Sequence, residues 1–446
     1  MVSARFWCGI AGLTVCLAQA SVADAQTGSV SVPDLLTHPE QLAEWIASHS
    51  QEAAAAAARV EQARAAYETS RLRPNPQLTA GLAGIPVGPT NPPGLGLGQT
   101  LNYGASISEL FEIGKRAPRR AGAQLRLESE RYALADTVLG SLAAAREALA
   151  RVLYGKSRLT TLDEQVALAR QMLELQRIRF ERGDLSGVDF DRVQLDLEML
   201  SADRAQADAD YRDSLATCER VLFASCDPGE AGLDTVVALV QPPEATLPAN
   251  WDAHLDDRPD IKALVTQQQA AVQDAELALK RTVPDPVVSV GFTRDYFAIS
   301  GNNPRVLAAA VTIPLPTFDR GKQDAARAEA ARAELRANEA TLRAHAHSDA
   351  HALQERQRAL LTTIDDLRTT ALARAAAILA STSDAVNQGE LSTTDLLLAR
   401  RAETDVTLRI MDLQLELFIT QNALRQVVGV DAPIASNLEG AQWPTP

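Results

Sequence analysis

His345, His347 and His351 invite a metal reading. His347 and His351 stand four apart, the spacing at which one helix face can present two imidazoles to a divalent ion. One such pair is a weak ligand set without a carboxylate or thiol to complete it. A solvated helix face accounts for it, and no metal site is expected. Cys218 and Cys226 would lie about 12 Å apart on a straight helix, out of bonding range. A disulfide requires the helix to end near Phe223, which Asp227-Pro228-Gly229 would allow; two unpaired thiols is the other reading. Asp189 and Asp395 each follow a serine by three residues, where an acid in the first helical turn favours the macrodipole. No nucleophile motif, phosphate loop or strong metal cluster occurs, so neither catalysis nor a cofactor is expected. A formal net charge of −14 argues against nucleic acid as a partner.

The two aspartates sit in a stretch that occurs twice. Gly183-Asp184-Leu185-Ser186-Gly187-Val188-Asp189 reappears as Gly389-Glu390-Leu391-Ser392-Thr393-Thr394-Asp395. Glycine suits the left-handed residue past a helix end, and serine before an acid suits the cap of the next helix. With long flanks of Ala, Leu, Glu, Arg and Gln, each copy reads as the turn of a helical hairpin. Two further landmarks recur in the same order. Glu112-Ile113-Gly114-Lys115-Arg116 matches Asp319-Arg320-Gly321-Lys322-Gln323, and Asn75-Pro76 with its following strand matches Asp285-Pro286. Together they indicate an internal duplication.

Residues 1–25 resemble an export signal, with Arg5, an apolar stretch and a small-x-small site at Ala23-Asp24-Ala25; lipidation of Cys16 is the less favoured alternative. The first repeat is expected over 26–240, with helices at 35–47 and 51–73, strands at about 77–85 and 101–111, and a hairpin over about 115–223. A linker over 241–254 leads to a second repeat over 255–430. That repeat has a helix at 259–281, strands at about 287–297 and 305–315, a hairpin over about 322–428, and a tail at 431–446 behind it. An outgoing helix of about 68 residues spans roughly 100 Å. No apolar run is long enough for a transmembrane helix. The fold class is therefore mainly α with a small β part. Four strands leave open edges, and a membrane accepts strands only in a closed barrel. Several chains would have to complete one barrel, and a shared barrel on a sheath of long helices describes a tube.

The junctions Leu110-Phe111-Glu112-Ile113-Gly114-Lys115-Arg116 and Ile313-Pro314-Leu315-Pro316-Thr317-Phe318-Asp319-Arg320-Gly321, with the two turns, resemble the TolC-type outer-membrane efflux proteins. The first junction is most similar to the branch serving cation-efflux pumps of the resistance-nodulation-division class. The resemblance implies a homotrimer whose chains give four strands each to a twelve-stranded barrel in outer-membrane lipid, over a periplasmic helical conduit. It implies docking onto a periplasmic adaptor, through the tip residues Gly183, Leu185, Ser186, Gly389, Leu391 and Ser392, and onto an inner-membrane pump. Asp189 and Asp395, with Asp191, fall where the family's periplasmic gate carries aspartate rings, whose mutual repulsion would raise their pKa values. Leu398 stands where a second acidic ring would sit. The function implied is a passive exit duct for heavy-metal cations or small toxic compounds, the alternatives being multidrug efflux or type I protein secretion. A soluble coiled-coil adaptor would have one hairpin and a lipoyl-like β segment, unlike this chain.

Overall fold

The computed structural model describes residues 29–89, 93–242, 251–294 and 303–432. The expected signal at 1–25 with Cys16, linker residues 243–250, strand residues 295–297 and the tail from 433 lie outside the described residues.

Two helical hairpins set the length of the molecule. In the first, the outgoing helix Arg116–Glu181 runs 66 residues without interruption, about 100 Å. Gly122, Gly140 and Gly155 lie within it without breaking it, the cost of a helical glycine being only about 1 kcal/mol each. The return helix is Gly187–Leu222. In the second hairpin the outgoing path is Lys322–Asp366, a π-helical turn at Leu367–Leu372, then Ala373–Asn387. Sequence alone gives one unbroken helix there, because a π turn needs neither glycine nor proline. The return helix is Thr393–Val428, opened by Ser392.

Six strands are present among the described residues. β2 (Gln77–Ala83), β3 (Asn102–Leu110), β5 (Val287–Arg294) and β6 (Arg305–Thr312) form one antiparallel sheet in that order. The two expected hairpins are thus joined, β3 pairing with β5 from Tyr103↔Arg294 to Leu110↔Val287. β2 stops short of 85 where Gly84 turns left-handed at φ 74°. β6 stops short of 315, because Pro314 and Pro316 have no N–H for the ladder. β1 (Ser29–Ser31) and β4 (Ser225–Asp227) form a small parallel pair that the sequence reading lacks. The helix expected at 35–47 is two, Val32–Thr37 and Pro39–His49, since Pro39 cannot continue a helix but can open one. The helix expected at 259–281 is Pro259–Leu279, followed by a 3₁₀ turn.

The largest apolar cluster girdles the middle of the first outgoing helix, with Leu142, Leu149, Val152 and Leu153 buried against Val32, Leu42, Leu222 and Val236. Two polar links cross from that helix to the second return helix. Tyr154 donates to Asp412 at 2.5 Å and Arg158 donates to Asp412 at 2.9 Å. Burial, and then Asp412, push the Tyr154 hydroxyl up to about 12. Deeper in, Asp431 receives Arg146 and Arg425, each at 2.7 Å.

Candidate functional site

The tips are built by their own local sequence. Gly183 and Gly389 have φ of 82° and 81°, the left-handed region that glycine enters without steric cost. At the first tip the Gly183 N–H donates to Phe180 O at 2.9 Å and the Asp184 N–H to Arg179 O at 2.9 Å. At the second, the Gly389 N–H donates to Val386 O at 3.0 Å and the Glu390 N–H to Ala385 O at 2.9 Å. Ser186 and Ser392 then cap the return helices, accepting the N–H of Asp189 at 3.1 Å and of Asp395 at 3.3 Å. Leu391 and Leu398 are exposed.

The tips differ in two respects. Asp395 completes a reciprocal box, accepting both the Ser392 N–H at 3.1 Å and its hydroxyl at 2.7 Å. Asp189 accepts the Ser186 hydroxyl at 2.7 Å and lies 3.5 Å from an Arg192 nitrogen. The Ser392 hydroxyl, and then its N–H, hold the Asp395 carboxyl below the usual carboxylate range. That is opposite in sign to the rise a ring of three carboxylates would impose. Asp191 is exposed one turn into the helix. The first tip alone has an aromatic brace, Phe180 stacked on Phe190 with centroids 5.0 Å apart.

The strand-to-helix junctions are pinned by contacts between residues that the sequence reading names only as landmarks. At Gly114-Lys115-Arg116, Lys115 Nζ donates to Asp285 Oδ2 at 2.6 Å, both side chains being 16% exposed. The other oxygen of Asp285 accepts the Ile113 N–H at 3.0 Å, and Phe111 N–H reaches Pro286 O at 2.9 Å. Arg119 forks onto Glu112, with Nη2 to Oε2 at 2.8 Å, and Arg116 donates to Arg71 O. The entry to the second pair of strands therefore anchors the exit of the first. At Gly321-Lys322, Asp319 Oδ1 accepts the Gly321 N–H at 2.8 Å, and Arg281 pairs with Asp324; Lys322 itself is exposed. The readable signal was the Asp285-Pro286 landmark, where the aligned Asn75 cannot make an ion pair.

The sheet between these junctions has two unlike faces. One presents Leu78, Leu82, Tyr103, Ile107, Val288, Val290, Phe292, Leu307 and Val311, all at least 37% exposed. The other carries Thr79, Gly104, Ser106, Ser108, Ser289, Gly291 and Thr293. The period-two alternation follows from strand geometry, but here, in β3 and β5, the apolar face is the more exposed one. Both edge strands, β2 and β6, also pair on one side only.

The remaining candidates resolve separately. Cys218 and Cys226 are bonded, with Cα atoms 6.3 Å apart. The helix does end at Leu222, and Phe223 turns left-handed at φ 55°. His347 and His351 are not simply a solvated face: both rings pack on Trp251, at 5.3 and 5.2 Å, and His347 Nε2 lies 3.5 Å from Asp252. His345 is exposed. Among the described residues no group of three His, Cys, Asp or Glu is placed to hold a metal ion. Among them, too, no helix is long and apolar enough to cross a membrane.

Comparison with known proteins bears on this architecture. Residues 43–222 match the outer membrane efflux protein family. No curated protein sequence matches the chain. Among solved structures, CusC superposes with a TM-score of 0.71 at 15% identity, covering 89% of this chain and 92% of its own. The Campylobacter jejuni outer membrane channel CmeC gives 0.71 at 13% identity, covering 88% of this chain and 85% of its own. The outer membrane protein VceC of Vibrio cholerae gives 0.68 at 19% identity, covering 89% and 96%. At these identities the likeness is one of fold. Residues 43–222 thus carry the signature of the outer membrane efflux protein family, and nearly the whole chain shares the fold of these solved channels.

Proposed function

We propose that the chain is one subunit of a homotrimeric outer-membrane channel that serves as the passive exit duct of a tripartite efflux pump. The sheet is the observation that carries this reading. It has two half-paired edges and an exposed apolar face, and it is joined by pinned junctions to helical hairpins about 100 Å long. Three copies would close the edges into a twelve-stranded barrel with the apolar face toward lipid and the Ser, Thr and Gly face toward the lumen. The helices would then lie in the periplasm. There the tips at Gly183, Leu185, Ser186, Gly389, Leu391 and Ser392 would meet an adaptor, and the adaptor an inner-membrane pump of the resistance-nodulation-division class. Asp189, Asp191 and Asp395 would favour cations at a narrow periplasmic mouth. Heavy-metal cations are the favoured cargo, on the similarity of the Glu112-Ile113-Gly114-Lys115-Arg116 junction to cation-efflux channels.

Deletion of the gene tests this in a single growth panel. Sensitivity to zinc, cobalt, cadmium, nickel or copper is expected, restored by the intact gene and not by one with both tip turns scrambled. Sensitivity to drugs alone would keep the duct and discard the metal cargo. Recovery of the protein in the soluble periplasm, instead of in membranes that float in a density gradient, would sink the channel.

A further inference from the structure

The face of the sheet that carries Ser, Thr and Gly differs from the opposite face in charge as well as in size. Pairing in register puts Thr79, Ser106, Gly291 and Ala308 in one row across β2, β3, β5 and β6, and Gly81, Gly104, Thr293 and Val306 in the next. Directly paired residues share a face, and alternate residues along a strand return to it. The face therefore takes every second residue of β2 from Gln77, of β3 from Asn102, of β5 from Val287 and of β6 from Val306. It carries amides, hydroxyls and small apolar groups, with no ionisable side chain and no aromatic ring among the described strand residues. The ionisable residues of these strands, Tyr103, Glu109, Arg294 and Arg305, all fall on the opposite face.

The uncharged face is also the concave one. Opposed residues on antiparallel strands ordinarily hold their Cβ atoms about 4.5–5.5 Å apart. A Cβ placed on Gly291 would stand 2.9 Å from the Cβ of Ser106, its partner in register. One on Gly104 would stand 2.8 Å from Phe292 O and 3.3 Å from Thr293 Cα. Side-chain directions converge in this way where a sheet curls toward them, and the close approach leaves room for glycine at both positions. A hollow of about 270 Å³ lies within the curl, with Thr79, Gly81, Gly104, Ser106, Gly291 and Thr293 in its lining.

We propose that this face is the wall of an exit passage indifferent to the sign of charge, so that selection by sign takes place only on the helical side of it. This rests on the channel reading of the sheet given above. A fixed charge acts over roughly 8 Å at physiological ionic strength. The outgoing helix of 66 residues puts about 100 Å between the tip aspartates and the strands. Their field does not reach the wall, so a solute there meets only the wall's own groups. Hydroxyls and amides solvate either sign. Without thiol, imidazole or carboxylate, the face also lacks the side chains that hold a transition-metal ion. A cargo that enters as a cation would leave unretained, and an anionic complex or a neutral compound would pass equally well. The net charge of −14 taken alone gives the opposite expectation, a passage that favours cations along its whole length.

The test introduces single cysteines, Ser106→Cys and Ser289→Cys, into the full-length protein reconstituted in liposomes. Each variant is exposed to a cationic and to an anionic methanethiosulfonate. Mass spectrometry follows the rate of modification, which is divided by the rate of the same reagent with a small free thiol. The protein without an introduced cysteine gives the background. At both positions the two normalised rates should agree to within about threefold. Adding Ser106→Asp to Ser289→Cys places a carboxylate on the diagonal neighbour and should favour the cationic reagent by about fivefold or more. A larger preference for either sign without the added aspartate, or no response to it, overturns the proposal. Ile107→Cys, on the opposite face, keeps the two readings apart, because lipid should shield it from both reagents. Shielding at Ile107→Cys with a sign preference at Ser106→Cys and Ser289→Cys loses only the indifferent wall. Equal reactivity of Ile107→Cys and Ser106→Cys loses the channel reading with it.

Discussion

The two return helices end at matching places in opposite ways. Phe223 follows Gly183 by the same number of residues as Gly429 follows Gly389, and both are left-handed, at φ 55° and 77°. Glycine takes that conformation freely, whereas a bulky residue there is an outlier costing about 1 kcal/mol or more. Phe223 is the sole non-glycine residue with positive φ among the described residues. The first hairpin surrounds this misfit with ties: the Cys218–Cys226 bond spans it, and the Trp45 indole donates to Leu222 O at 2.9 Å. The second hairpin has no covalent tie; Arg258 donates to Val427 O at 2.5 Å, and Arg146 and Arg425 hold Asp431. One geometric demand is met by cross-linking in the first hairpin and by backbone choice with an ion network in the second. The first hairpin thus holds the rigid middle of the molecule, and the second is fastened onto it.

The largest expected effect probes where that rigid middle lies. Leu149 and Arg356 stand equally far past the junction glycines Gly114 and Gly321. Leu149 is fully buried, while Arg356 is 58% exposed and pairs with Glu416 at 2.7 Å. Leu149→Ala should cost about 3 kcal/mol by cavity formation, and Arg356→Ala about 0.5 kcal/mol or less. Urea unfolding midpoints of the solubilised protein compare them directly. Equal losses would mean the two outgoing helices carry the core alike.

Next in size is the fastening. Burial pushes the Asp431 carboxyl up, but Arg425 and Arg146 outweigh it, so its pKa lies below the ordinary value. A group that titrates lower when folded contributes stability that is complete above about pH 4, the unfolded value, and is lost as pH falls through the lowered folded one. Asp431→Asn should cost about 3 kcal/mol near neutrality by leaving Arg146 buried without its counter-charge. It should also flatten the acid limb of a stability-against-pH curve measured between pH 5 and pH 2. A variant that keeps the native acid limb would place that sensitivity elsewhere.

These differences mark where the sequence stops being legible. The turns could be read because their determinants are local: a left-handed glycine, a serine cap and an acid lie within seven residues. The length of the second hairpin follows from the absence of glycine and proline, and that of the first from the absence of proline after Pro118. What local chemistry does not encode was missed. The π turn at Leu367–Leu372 has no marker residue, and β1 with β4 is three residues long and paired across the chain. The β3–β5 register joins the two strand hairpins. Asp285 acts at a distance of 170 residues from Lys115, and nothing near it announces an ion pair. The cysteines fall between these cases, since their spacing permits a bond only where the helix ends, and only the fold shows that end.

Removing the covalent tie comes third. Serine at both Cys218 and Cys226 frees an eight-residue separation in the unfolded chain, worth about 2.5 kcal/mol in the chain-entropy account. The loss should appear as a lower unfolding midpoint and as earlier proteolysis after Leu222, with the second return helix protected as before. Simultaneous loss of protection at Val428 would contradict the separate closure of the two hairpins.

The smallest effect is the most discriminating, because it sets the tie against the residue it spans. If the disulfide is what holds Phe223 left-handed, Phe223→Gly relieves a strain of about 1 kcal/mol that matters more once the bond is gone. In the cysteine-containing protein the gain should be small, since the bond already fixes the turn and the half-exposed phenyl ring gives up some contact. In the double-serine background the same substitution should recover about 1 kcal/mol of the loss. A double-mutant cycle reads this as a coupling of about 0.5–1 kcal/mol. Gly429→Ala supplies the mirror measurement. Its Cβ would meet Arg258 Cγ at 3.1 Å at a φ of 77°, so it should destabilise by about 1 kcal/mol whether or not the cysteines are present. Strict additivity at Phe223 would mean that this left-handed turn is imposed by packing from Trp45 and the surrounding core, and that the disulfide merely lies across a turn that would form without it.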